Sequence, residues 1–135
     1  MSLRLPSEIV AERVVPTLRA MLATSLADAG LTQTEIADHL GVTQAAVSTY
    51  VSGQVQTADR IRSHPRTEEM VSRVSDGLAS GEMDDFDALA EVLGLIHEFE
   101  DRGPICELHE ATMPSLQGLG CDLCIRGVDS ELRAE

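Results

Sequence analysis

The chain of 135 residues is the size of one domain or two very small ones, which excludes a large multidomain enzyme. Hydrophobic residues make up 43% and charged residues 24%, and no apolar run approaches the roughly 18 residues of a membrane span, so neither a disordered nor a membrane-spanning chain is expected. The formal net charge is −13, and an aromatic content of 2% leaves the core to Leu, Val, Ile, Ala and Met, which argues for packed helices over an aromatic-rich sheet.

The first expected element starts at Leu5-Pro6-Ser7-Glu8, with Ser7 as N-cap and Glu8 at the positive end of the helix dipole. Glu8 and Glu12 fall where a signal peptide needs unbroken apolar residues, so a cytoplasmic protein is expected. Pro16 should kink or restart the helix, after which Leu18, Met21, Leu22 and Leu26 recur at helical spacing and Gly30 offers a stop.

Residues 31–53, LTQTEIADHLGVTQAAVSTYVSG, are the most informative. Thr32 and Glu35 have the spacing of a capping box; Ile36, Ala37 and Leu40 form one apolar face; Gly41 stands where a tight turn needs a left-handed backbone. Thr43 caps a second helix with Val47, Tyr50 and Val51 inward and Gln44, Ala45, Ser48 and Thr49 on the other side, and Gly53 closes it. Two short helices joined by a Gly-containing turn, with Ala where they cross, meet the requirements of a helix-turn-helix.

Gln33, Ala37, Gly41, Val47 and the run from Val47 to Gly53 resemble the Cro/repressor-type (XRE-type) helix-turn-helix family, and with the LPSEIVAERVVP lead-in the segment looks like a group of archaeal transcriptional regulators. The resemblance implies a lambda-repressor-like helical domain bound to double-stranded DNA. By that resemblance Gln33 contacts phosphate, and Thr43 opens a recognition helix. Gln44 would pair bidentately with adenine, Ala45 would meet a thymine methyl, and Ser48 and Thr49 would take either sign of hydrogen bond. One recognition helix reads too few base pairs for useful specificity, so a homodimer on a pseudo-palindrome is expected. A helical hairpin used only for protein contacts is the alternative.

Residues 54–66 show no clean apolar period, and His64-Pro65 reads as an interruption, so a connector is expected. Arg60, Arg62 and Arg66 there suit either phosphate contact or pairing with acids. A helix follows with Met70, Val71, Val74 and Leu78 on one face. Asp84 or Asp85 then caps a longer helix with Phe86, Leu89, Ala90, Leu93 and Ile96 inward, ending near Gly103-Pro104. The expected division is 1–66 for DNA binding, 67–103 as an acidic helical region, and 104–135 as a segment rich in metal-ligand residues.

That last segment holds Cys106-x-x-His109 and Cys121-x-x-Cys124, each with the spacing of a two-ligand knuckle. Three thiolates and an imidazole complete a tetrahedral set for structural zinc, with no open position for catalysis. As alternatives to zinc, three thiolates could hold an iron–sulfur cluster in a redox or iron sensor, or Cys121 and Cys124 could close a disulfide as a thiol switch. His39, His64 and His97 lack ligand-spaced neighbours.

Charge divides unevenly along the chain. Up to Arg66, six Arg balance six acids; beyond it, four Arg meet seventeen acids, so the second half carries the whole excess. All ten basic residues are Arg and none is Lys, a composition resembling proteins of salt-loving archaea. A neutral half is able to approach DNA while the acidic half repels it. No nucleophile–base pair, phosphate loop or open metal site is legible, so an enzyme is not expected. A metal-stabilised protein-interaction module that ignores DNA is the competing class.

Overall fold

The computed structural model describes residues 3–101, 103–121 and 123–126. Arg102, Arg133 and the end of the 104–135 segment lie outside the described residues. Every regular element among the described residues is helical, as the aromatic-poor composition predicts, and none is long and apolar enough to cross a membrane.

The first helix, α1 (Pro6–Ile9), begins two residues earlier than the sequence suggested. Pro6 takes the first helical position, where a missing N–H costs nothing, and the Glu8 carboxylate reaches back to accept the Leu5 N–H at 2.7 Å. Ser7 therefore lies inside the helix and does not cap it. A π-helical turn over Val10–Val14 leads into α2 (Val15–Asp28). Pro16 is its reason: proline cannot donate to the preceding turn, and the Val15 N–H instead reaches five residues back to the Val10 carbonyl. Thr17, fully buried, donates to the Arg13 carbonyl at 2.7 Å and accepts the Ala58 N–H at 2.9 Å, fastening α2 to the chain that follows the helix pair. Leu18, Leu22 and Leu26 are buried as predicted, with Met21 half-buried.

Two short helices, α3 (Gln33–Leu40) and α4 (Gln44–Val51), pack on α2. The region read as a connector holds a one-turn helix, α5 (Asp59–Arg62), whose Ile61 is wholly buried. His64-Pro65 begins α6 (Pro65–Ser80) rather than interrupting the chain: proline sits at the first helical position and His64 Nδ1 accepts the Arg66 N–H at 3.1 Å. Met70, Val71, Val74 and Leu78 are all buried against α2 and its neighbours.

Asp84 and Asp87 form the reciprocal cap of α7 (Asp85–Phe99), with N–H to carboxylate distances of 2.8 and 3.1 Å. Its buried side differs from the one expected. Leu95 and Phe99 are buried, and Ala88, Val92 and Ile96 are half-buried, whereas Phe86, Leu89, Ala90 and Leu93 face solvent. Helix α7 carries two apolar stripes; beside the one that meets α6, Arg66 and Arg73 on α6 reach Glu98 and Glu91 at 3.0 and 2.7 Å. Gly103 then passes so close that a Cβ there would lie 2.8 Å from the Phe99 carbonyl oxygen, and α8 (Pro104–Thr112) turns back against α7 and α1. A 3-10 turn over Pro114–Leu116 and α9 (Leu123–Arg126) complete the described fold. One core cluster runs from Ile9 to Leu108, joining all three stretches of sequence.

Candidate functional site

The helix pair is built by local chemistry. Glu35 N–H donates to Thr32 Oγ1 at 3.2 Å while Thr32 N–H donates to the Glu35 carboxylate at 2.9 Å, a reciprocal cap that fixes the start of α3. The Thr32 N–H also holds the Glu35 carboxyl below its ordinary range. Gly41 ends α3 at φ +68°, a left-handed conformation open to glycine without strain. Thr43 Oγ1 accepts the Ala46 N–H at 3.1 Å and starts α4. Ile36, Ala37 and Val47 are buried between the helices and α2, whereas Val51, expected inward, is 39% exposed because α4 ends there.

With Val47 pointing inward, Gln44, Ala45 and Ser48 lie on the exposed side of α4 beside the exposed cap Thr43; Gln33 is exposed at the start of α3. Thr49 is half-buried and spends its hydroxyl on the Ala45 carbonyl at 3.0 Å, which leaves it less of a free hydrogen-bonding group than Ser48. Gln44 Nε2 donates to Thr34 Oγ1, so the first residue of α4 is steadied by a side chain of α3 that the sequence reading passed over. His39 Nδ1 meets Asp85 at 2.7 Å and ties α3 to α7. Of the arginines near the helix pair, Arg60 is held by Glu107 at 2.7 Å and Arg66 by Glu69 and Glu98, so two of the three have acid partners; Arg62 donates to Thr57 Oγ1 at 3.3 Å.

At the other end, Cys106, His109, Cys121 and Cys124 border one cavity of about 20 Å³ together with Glu100, Glu110 and Leu116. The sequence spacing thus brings all four candidate ligands to one place, although Cys106 and His109 sit on the helix α8 and not on a tight knuckle. Among the described residues, no group of three or more His, Cys, Asp and Glu side chains converges in a form that holds a metal ion. The Cys106 thiol donates to the Glu100 carbonyl at 3.0 Å, and His109 Nε2–H donates to the Arg4 carbonyl, leaving Nδ1 as the ring atom for any ligand. As placed, the four side chains do not form the tetrahedral site that zinc requires.

Partial burial, and then the negative charge of Glu100, push the Cys124 thiol up to about 11. A thiol held protonated in the folded chain contributes its stability in full below the pKa of the unfolded chain and loses it as pH rises through about 11. The same shift lowers reactivity. In metal-free protein near neutral pH, Cys124 is expected to alkylate with iodoacetamide about tenfold more slowly than in the unfolded chain, because loss of thiolate outweighs the greater nucleophilicity of a more basic sulfur. Peptide mapping by mass spectrometry checks this, and equal rates would show that the thiol is not shielded. No protein-family model matches the chain, and no curated protein or solved structure proves similar to it.

Proposed function

We propose that the chain is a sequence-specific DNA-binding transcription regulator of the helix-turn-helix kind, reading the major groove with α4 as a homodimer on a pseudo-palindromic operator in a salt-rich cytoplasm. One observation carries the reading: α4 is fixed from behind by Val47 and at its start by Thr43, and it presents Gln44, Ala45 and Ser48 together on an exposed surface. Those side chains have the chemistry of base-edge readout, and Gln33, exposed at the start of α3, would contact phosphate. At about 1 M salt the Debye length falls to roughly 3 Å and counterion release yields little, so affinity has to come from close hydrogen bonds and surface fit. A reading half with no Lys suits that condition.

The test is a gel shift with genomic fragments in about 2 M KCl, where long-range attraction is screened. Gln44→Ala is expected to cost about 1–3 kcal/mol on the preferred site and to relax discrimination there, with helicity unchanged. Binding that is equal on all sequences before and after the substitution, or no binding at all, would sink the reading and leave a protein-interaction module.

The cavity shared by three cysteines supports a second reading, a redox or iron sensing regulator. Metal and sulfide analysis with a visible spectrum of anaerobically purified protein separates the outcomes. One zinc per chain and no colour fits Cys106, His109, Cys121 and Cys124 drawing together around the ion; iron with labile sulfide and a brown colour fits a cluster on the three thiolates.

A further inference from the structure

Helices α2, α6 and α7 leave a groove of about 350 Å³ between them, floored by the buried Leu18, Leu22, Val74 and Leu78 and bordered on the α7 side by Val92. Its walls are largely aliphatic, and its size falls in the range of roughly 300–1,000 Å³ that small organic ligands occupy. One charged side chain on the lining is unanswered. Arg19, half-buried on α2, has no hydrogen-bond or ion-pair partner among the described residues. Acids are not in short supply, since 23 stand against 10 arginines, and Arg4, Arg60, Arg66 and Arg73 each hold a carboxylate.

We infer that this groove binds a small aliphatic carboxylate, with its tail against the leucines and its head on the Arg19 guanidinium. A guanidinium half withdrawn from water beside apolar walls loses hydration that no group of the chain replaces, and a carboxylate replaces it by accepting two parallel N–H bonds. Asp85 also borders the groove, but its carboxylate is already met by His39 Nδ1 at 2.7 Å. The anion is thus recognised at one fixed place and not by the surface at large, whose excess of acids repels it. That opposition makes the charge of the ligand diagnostic. Non-specific uptake by a chain of net charge −13 favours a cationic amphiphile, whereas the Arg19 site favours an anionic one.

The groove also touches α3 through His39 and Leu40, the two residues before Gly41, so its occupant lies against the helix pair. Octanoate, with about ten non-hydrogen atoms, is a probe of this class, and a dissociation constant on the order of 100 μM is expected for a ligand of that size. The inference stands on the groove and Arg19 and makes no use of the DNA reading, so binding is measured on the full chain without DNA.

The experiment is isothermal titration calorimetry of the full chain with octanoate, octanol and octylammonium in about 2 M KCl, where long-range attraction is screened and a partly buried contact persists. Octanoate is expected to bind once per chain, about tenfold more tightly than octanol or octylammonium. Arg19→Gln is expected to weaken octanoate about tenfold and to leave octanol binding and circular dichroism unchanged, since Arg19 has no partner among the described residues to lose. Arg13→Gln, at an exposed arginine outside the groove, is expected to change nothing. Octylammonium bound as tightly as octanoate, uptake of many ligands per chain, or an Arg19→Gln variant that holds octanoate like the wild type overturns the inference. Absence of binding overturns it as well, and a groove covered instead by a second copy then shows as a dimer in sedimentation equilibrium. A chain that takes up octanoate yet ignores DNA would overturn only the DNA reading.

Discussion

Phe99→Ala is expected to destabilise the protein by about 3–5 kcal/mol, lowering the melting temperature by about 10–20 °C. Phe99 is 2% exposed, is the largest fully buried side chain, and sets its ring 4.7 Å from that of His64, the N-cap of α6. Its removal opens a cavity at the point where α6, the end of α7 and the turn at Gly103 meet. Little can move in to fill it: Gly103 already lies against the Phe99 backbone, and His64 is held by its cap bond to Arg66 N–H. Thermal unfolding followed by circular dichroism measures the effect. A loss below about 1 kcal/mol would mean that the end of α7 is not packed as described.

Withdrawing salt is expected to act on the whole chain. Moving from about 2 M to about 0.1 M KCl lengthens the Debye length to roughly 10 Å, and the melting temperature should fall by roughly 10 °C as the seventeen acids beyond Arg66 begin to repel one another. An opposing effect exists, because ion pairs such as Arg4–Glu12, Arg66–Glu98 and Arg73–Glu91 strengthen as screening is removed. Repulsion wins on magnitude: exposed pairs contribute about 0–1 kcal/mol each, whereas an excess of acids repels across the entire second half. A melting temperature equal in both salts would remove the high-salt reading of the composition.

What the sequence made legible was chemistry that is local. Thr32 and Glu35, Gly41 and Thr43 act on backbone groups within three or four residues, so the bounds of α3 and α4 follow from spacing alone. Met70, Val71, Val74 and Leu78 lie on one stripe of an otherwise polar helix, so the buried face of α6 was equally plain. Helix α7 was not legible in this way. Phe86, Leu89, Ala90 and Leu93 make one helical stripe, Ala88, Val92, Leu95 and Phe99 make another, and packing against α6 and α8, separate elements of the chain, decides which stays inside. Residues 54–66 are not a plain connector because His64-Pro65 has two meanings, a break after a helix or the start of the next, and the structure takes the second, with His64 as the cap of α6. For the cysteines, the spacing gave the four residues that gather but not Glu100, which reaches the cavity from the end of α7 and accounts for part of the raised Cys124 thiol.

The bond from His109 to the Arg4 carbonyl joins residues 105 positions apart, and with it α8 closes over α1 at the two ends of the folded chain. A contact of such long sequence separation carries a large loop-closure entropy, which is offset only once the helices between it have assembled. In folding, the α1–α8 seam therefore forms late, after α2 has gathered α3, α4 and α6 around it. The same order reversed governs opening: the seam parts at lower free energy than the core, and hydrogen exchange should show amides of α8 losing protection ahead of those of α2.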